Sequence, residues 1–449
     1  MTDTNAYRLV CGLEIHVELK TASKMFCGCK NDPFFAPQPN IYTCPYCLGR
    51  QTKPPVPNRK AIEFTAKFGL YVGGQITSPS YFERKHYVYP DMPKGYQISQ
   101  CTQHFVKGGQ VNTPQGVVRL IEAHLEEDAA KLIHQEVKGS KMTLIDFNRS
   151  GVPLIEIVSA ADIHSSKQAV AYAKNIQSIT RYLGISDADM EKGQMRFDAN
   201  ISLQTKQQVA DNLLPDYKVE VKNINSFKAL EQTIDFEIER QSELLSSGQK
   251  VPQETRGFDM NSGKTIFQRT KGNSEDFRAT ICPEMSTIVL SKQILSSWFK
   301  QKLITKEEYL KKWQAQFQLE NKYAASFLTN PTIITWAEKL WQLAKKENLP
   351  VNKLANYLVN KKLKFTIHDD QPQLISAFQD LISSDQVDEG ELTALIKQTL
   401  QSYPHEFKRY LQGEKQLLGF FMGQIMRTSD RKLDATLVNK LLKQELQSA

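Results

Sequence analysis

Four of the seven cysteines fall within one short stretch, as Cys27-x-Cys29 and, fourteen residues on, Cys44-x-x-Cys47. Each close pair can bring two thiolates to one ion from a single turn, and four sulfurs suit a tetrahedral Zn2+. With no open coordination position, such a centre predicts a structural knuckle and no catalytic role for its metal. A redox pair, or four small buried apolar side chains, are the competing readings. Cys11, Cys101 and Cys282 stand apart and read as core residues.

A different chemistry is suggested by Gly12-Leu13-Glu14-Ile15-His16-Val17-Glu18-Leu19. Alternation puts Glu14, His16 and Glu18 on one face of a strand and Leu13, Ile15, Val17 and Leu19 on the other. Alone, this is a half-buried strand with a solvated face. A second concentration of acids beside a histidine, His124-Leu125-Glu126-Glu127-Asp128, adds weight to chemistry. Carboxylates brought together repel and shift one another's pKa values unless they share a proton or a cation, so a Mg2+ site built from both segments is expected. Met195 to Ser202 alternates in the same way and offers Arg196, Asp198, Asn200 and Ser202 on one face; an ordinary amphipathic strand would look the same. Glu83 to Asp91, with Lys85, mixes basic and aromatic residues as a polar passage or an RNA contact would. The near match to a phosphate loop, Gly257 to Thr265, has five residues between its glycines where the motif needs four, and Asn261-Ser262-Gly263 reads as a hairpin turn.

The elements that must position these residues follow from periodicity. From Tyr7 to about Leu290 strand patterns dominate (Leu13 to Leu19, Val118 to Ala123, Thr143 to Phe147), interrupted by helical spacing over Ser166 to Leu183 and Leu230 to Leu245, each stopped by a glycine. The expectation is an α+β fold: a large mixed domain over residues 1–290, an all-helical domain over 291–371, and a small helical tail over 372–449, with His368 to Pro372 as linker. At 449 residues the chain is too long for one core. No apolar run reaches the roughly 18 residues of a membrane span, and no signal-peptide core is present, so a cytoplasmic location is expected. The net charge of +8 fits an anionic partner, though surplus lysine also coats ordinary surfaces.

Taken in order, the segments resemble the B-subunit family of the aspartyl/glutamyl-tRNA amidotransferases. The resemblance is carried by Gly12 to His16, the paired cysteines, Lys85 to Asp91 and His124 to Lys131, then Asn148 to Val158, Arg196 to Ser202, Lys222 to Phe227 and Leu418 to Met426. Departures fall at Leu48 to Asn58, at Ala130 and at Asp276 to Met285. The resemblance implies a cradle-like N-terminal domain and a complex with two partners, the amidase (glutaminase) or A subunit and the small C subunit. It implies ATP- and Mg2+-dependent activation of the side-chain carboxylate of a misacylated tRNA, followed by amidation with ammonia from the amidase. Glu14, His16 and Glu127 would then sit at the Mg2+ centre, Asp198 and Glu126 beside it, and Lys85 along the ammonia path. The tail carries eight Lys/Arg against five acids between residues 401 and 449. By the resemblance it would clamp tRNA, with Lys408, Arg409, Arg427 and Lys432 touching the nucleic acid. A zinc-stabilised RNA-binding protein with reduced or lost catalysis is the alternative; it leaves Glu14, His16 and Glu127 without a purpose.

Overall fold

The computed structural model describes residues 6–50, 53–137, 139–270, 278–299, 303–385, 389–428 and 435–448. The chain forms two compact units, one comprising residues up to 309 with 328–331, the other residues 310–327 with the chain from 332 onward. The fold is α+β, as the sequence patterns predict.

The strands of the first unit are β1 (Tyr7–Glu18), β2 (Gln75–Ile76), β3 (Glu83–His86), β4 (Tyr96–Ser99), β5 (Val106–Lys107), β6 (Gln110–Thr113), β7 (Gly116–Glu127) and β8 (Lys131–Val137). There follow β9 (Ser140–Asp146), β10 (Pro153–Ser159), β11 (Met195–Thr205), β12 (Val219–Ile224), β13 (Glu254–Asp259), β14 (Lys264–Thr270) and β15 (Arg278–Ile281). Ten of them form one sheet in the order β14-β13-β12-β11-β1-β10-β7-β5-β2, with β6 also paired to β7. All its pairings are antiparallel except β12 with β13. A smaller sheet, β15-β3-β4, and the β8-β9 hairpin complete the unit.

Period-two alternation gives the large sheet one apolar and one polar face. Leu13, Ile15 and Val17 of β1, Ala123 and Leu125 of β7, Ile155 and Ile157 of β10, and Phe197, Ala199 and Ile201 of β11 are all fully buried. Helices α1 (Arg59–Tyr71), α2 (Ser166–Tyr182), the short α3 (Lys206–Ala210) and α4 (Phe227–Ser246) pack on the sheet, with Phe227 stacked on Phe197 at 5.7 Å. Ser165 and Ser226 cap α2 and α4 by accepting from the Gln168 and Ala229 N–H groups. Gly69 lets α1 close on the sheet, since a Cβ there would meet the Val106 side chain at 2.7 Å. The β13-β14 hairpin has Asp259 accepting from the Asn261 N–H, with Gly263 at φ +66°, so the Gly257 to Thr265 segment is a turn, as expected.

Helices α5 (Lys292–Trp298) and α6 (Lys306–Phe317) lead into α7 (Asn321–Phe327), α8 (Pro331–Lys346), α9 (Val351–Val359) and α10 (Gln371–Asp385). In the second unit Phe327 meets Trp341 edge-on at 5.0 Å, and Phe365 stacks on Trp336 at 4.9 Å. Pro372, expected in a linker, lies in the first turn of α10, where its missing N–H costs no helical bond. Phe378 of that helix packs on Tyr357 at 5.5 Å. The last four helices, α11 (Glu389–Ser402), α12 (Pro404–Leu411), α13 (Leu417–Thr428) and α14 (Ala435–Ser448), share a core of Leu392, Ile396, Phe421, Ile425, Val438 and Leu442. Among the described residues no helix is long and apolar enough to cross a membrane.

Candidate active site

Register across four strands sets polar residues in rows on the polar face. Arg196 of β11, His16 of β1, Glu156 of β10 and His124 of β7 stand opposite one another in turn. In the next row Asp198 faces Glu14. His16 Nε2 is 3.3 Å from Glu156 Oε2 and 3.6 Å from Glu126 Oε1, and His124 Nε2 is 3.5 Å from the same Glu156 oxygen. Glu14 accepts from Asn200 at 2.8 Å, while Asp198 accepts from the Asn223 N–H at 2.9 Å and from Lys222 at 3.3 Å. Glu126 and His124 are only 3% and 6% exposed, so this charge cluster is largely withdrawn from water.

Burial and like charge shape the electrostatics. Burial, then the charges of Glu156 and Asp198, raise the Glu14 carboxyl above its ordinary value. Burial and Glu156 likewise raise Glu126. For His124 burial works downward, but Glu156, Glu126 and Glu122 outweigh it and lift the imidazole to about 9. Burial opposes ionisation of Glu156 too, yet the two flanking imidazoles hold it well below the usual carboxylate range. Burial, and then the charge of neighbouring carboxylates, thus hold Glu14 and Glu126 toward the neutral form. The cluster's donor set of two carboxylates and an imidazole (Glu126, Glu156, His16), with ligand atoms within 4.8 Å of one another, fits a divalent cation.

The four cysteines converge, as their spacing predicts. Cys47 Sγ lies 3.4 Å from Cys27, 3.7 Å from Cys44 and 3.8 Å from Cys29. Zn–S bonds of about 2.3 Å in a tetrahedron separate the sulfurs by about 3.8 Å. All four thiols are free, so no disulfide competes. Lys24, 1% exposed, points Nζ at Cys47 Sγ from 3.7 Å. Cys27 and then, against burial, Lys24 help pull the Cys47 thiol down to about 5.

Residues 9–296 match the family model of the GatB/GatE catalytic domain, and residues 338–446 match that of the GatB domain. The B subunit of the aspartyl/glutamyl-tRNA(Asn/Gln) amidotransferase of Persephonella marina is 35% identical, over 97% of this chain and 99% of its own length. The proteins of the same description from Geotalea daltonii and Synechocystis are 35% and 33% identical, over 98% and 97% of the chain and 99% and 97% of their own lengths. This chain is a member of the GatB family. The resemblance carried by the sequence motifs is thereby borne out over nearly the whole length.

Within this GatB chain, the predicted residues do not all converge. Glu14, His16, Glu126 and Asp198 share the polar face, but Glu127 does not join them. As the neighbour of Glu126 on a strand it points the other way, where its carboxylate is ion-paired to Lys94 and accepts from the Ile98 N–H at 3.0 Å. Lys85 lies on β3, close enough for its charge to favour ionised Glu126. The divergent segment runs along that strand: β15 pairs with β3, Glu284 binds Arg84, and Thr280 meets His86 at 2.9 Å. Asp276 and Phe277 lie outside the described residues. In the tail, Lys408 and Arg427 are exposed, Arg409 is paired to Glu414 at 2.6 Å, and Lys432 lies outside the described residues.

Sequence reasoning misses Glu156, whose one signal is a lone acid in the apolar run Pro153 to Ser159. Two cavities border the polar face. One, of about 360 Å3, opens beside Glu14 and is lined by Gly12, Asn200, Ser202, Tyr217 and Lys218 among others. The other, of about 710 Å3, adjoins Glu18 and carries Lys131, Arg149, Lys192 and Arg196 together with Asp91 and Asp128. Asp128 holds Arg196 at 3.2 Å and Arg149 at 3.6 Å, an anchored pair of guanidinium groups.

Proposed function

We propose that this chain is the carboxylate-activating, tRNA-binding component of a tRNA-dependent amidotransferase. It acts with the amidase (A) and small (C) subunits on Glu-tRNA(Gln) or Asp-tRNA(Asn), in the cytoplasm. The observation that carries the reading is the largely buried group of His16, Glu126 and Glu156 flanked by Glu14 and Asp198, in a chain of this family.

A side-chain carboxylate is a poor electrophile. Its oxygen attacks the γ-phosphorus of ATP, ADP leaves, and ammonia then attacks the acyl carbon of the acyl phosphate, expelling inorganic phosphate and a proton. His16, Glu126 and Glu156 would hold Mg2+, which would supply charge neutralisation at the transferring phosphoryl group. Asp198, fixed by Lys222 and Asn223, orients Lys222 toward the same space. Glu14, raised by burial and its neighbours, is suited to take the proton that ammonia sheds. Lys85, beside Glu126, lines the approach of ammonia. Glu127 supports this machinery through Lys94 and is not part of the ligand set. The four-cysteine cluster would hold Zn2+ as a structural ion.

The same reading assigns residues 1–290 to activation, 291–371 to the helical domain and 372–449 to the tRNA-binding tail. The test uses the reconstituted complex with free ammonia as nitrogen donor. His16→Ala and Glu156→Gln should abolish tRNA-dependent ATP turnover and amidation while tRNA affinity holds. Near-normal amidation by either folded variant would place the centre elsewhere.

A further inference from the structure

Next to the His16 group, the same sheet face carries a second cluster that the proposed reaction does not use. On β7, Glu122 and His124 are two residues apart and so project from one face. His104 is brought to them from just before β5, which pairs with β7 through Lys107 opposite Glu122. The two carboxylate oxygens of Glu122 each address one imidazole: Oε2 is 2.5 Å from His104 Nε2, and Oε1 is 3.7 Å from His124 Nδ1. The rings lie 5.3 Å apart between centroids, and one ligand atom from each of the three residues falls within 4.8 Å of the others.

A hydrogen-bonded pair of side chains would account for His104 and Glu122 but leaves the third member unexplained. His124 is 6% exposed, and its Nδ1, which faces Glu122 at more than hydrogen-bonding distance, has no hydrogen-bond partner among the described residues. Its other nitrogen is directed at Glu156, 3.5 Å away. Whether Nδ1 carries a proton or a lone pair it lacks a partner there, and a metal ion takes the place of that proton; a carboxylate behind the distal nitrogen is how proteins orient a ligating histidine. A buried polar nitrogen without a partner is costly unless something meets it.

We propose that His104, Glu122 and His124 form a second divalent-cation site, selective for a transition metal such as Zn2+, Mn2+ or Co2+. Two imidazoles and one carboxylate favour borderline metals, whereas the adjoining His16, Glu126 and Glu156 set, richer in oxygen, accepts harder ions. The three ligands are distinct from the His16 group, which they meet only through Glu156, the carboxylate behind His124.

Co2+ is the probe, because its d–d absorption reports the ligand set. Full-length protein retaining zinc at the knuckle is titrated with Co2+, and bound metal is counted by elemental analysis. Wild type should take up one equivalent more than His104→Asn or Glu122→Gln, and affinity for that equivalent should fall on the order of 100-fold, since even outer-shell changes cost about 10–100-fold. Glu126→Gln, which disables the neighbouring set, should leave this equivalent and its spectrum in place. Equal uptake by wild type and His104→Asn overturns the proposal, as does loss of the extra equivalent in Glu126→Gln alone. Wild type that binds no metal beyond the knuckle under saturating Co2+ overturns it whether or not any variant folds.

Discussion

Glu127 tests the separation of support from chemistry. It is 2% exposed, and its Oε1 takes both the Lys94 ammonium and the Ile98 N–H. The Lys94 side chain is itself only 4% exposed, with Nζ 4.6 Å and 5.6 Å from the ring centroids of Tyr46 and Tyr96. Glu127→Gln keeps the shape and an acceptor but removes the charge. The ammonium is then left with a neutral amide oxygen, two rings and the Tyr46 hydroxyl at 3.3 Å. Breaking a buried ion pair from one side costs about 3–5 kcal/mol, of which the rings recover roughly 1 kcal/mol. At about 2 °C per kcal/mol for a large unit, the melting temperature should drop by roughly 4–8 °C. Lys94→Met in the same chain should restore part of it, because no charge is then stranded. Scanning calorimetry of the full chain gives the first number. Ammonia-dependent amidation, measured well below the transition, should stay within a few-fold of wild type. A transition moved by less than about 1 °C together with abolished amidation would refute the reasoning and make Glu127 part of the chemistry.

Cys44→Ser should empty the knuckle of zinc, read by elemental analysis of protein purified without chelator, and lower the melting temperature of the first unit; wild-type protein free of zinc would sink the assignment. Gly69→Ala should cost about 1–3 kcal/mol through its clash with Val106, and Val106→Ala should recover part of that; an unchanged denaturation midpoint in Gly69→Ala would mean that α1 yields freely. Ending the chain after Asp385 removes a tail with its own core, so the remainder should fold, bind tRNA more weakly, and flatten the salt dependence by about 0.7–0.9 in slope for each phosphate no longer neutralised. Parallel slopes for the two proteins would mean that the tail does not touch tRNA.

Much of this is legible in the sequence, and the reason is the short range of the signals. The cysteine spacing is local, and so are the alternations that make β1 and β11. The helices end at Gly184 and Gly248 because a positive φ there suits glycine, at +68° and +75°. What escapes depends on register. Glu156 stands opposite His16 on one side and His124 on the other, pairings fixed by hydrogen bonds between strands more than a hundred residues apart in the case of β1 and β10. Val118 to Ala123 reads as the strand, but β7 runs on through Glu127, and polar His124 to Glu127 hides that extension. Once the strand is continuous, period two already forbids Glu126 and Glu127 from sharing a ligand set. Lys94, the partner that explains Glu127, carries no local sign of its role.

The four-cysteine cluster and the charge cluster are joined mechanically. Lys24 ties the thiols to the segment before β10, with Nζ 3.7 Å from Cys47 Sγ and 3.1 Å from the Phe147 carbonyl. Ser150 donates to the Cys47 carbonyl at 3.2 Å, and the Met25 N–H donates to the Gly151 carbonyl at 2.7 Å. Two residues later β10 begins, and its third residue after Pro153 is Glu156. On the other side, Tyr46 of the knuckle packs on Lys94, and Lys94 holds Glu127, the residue next to Glu126. A loosened knuckle therefore acts on both strands that carry the carboxylates facing His16. Since a one-residue slip turns a strand's side chains to the opposite face, holding these two registers is what keeps Glu126 and Glu156 on one side of the sheet.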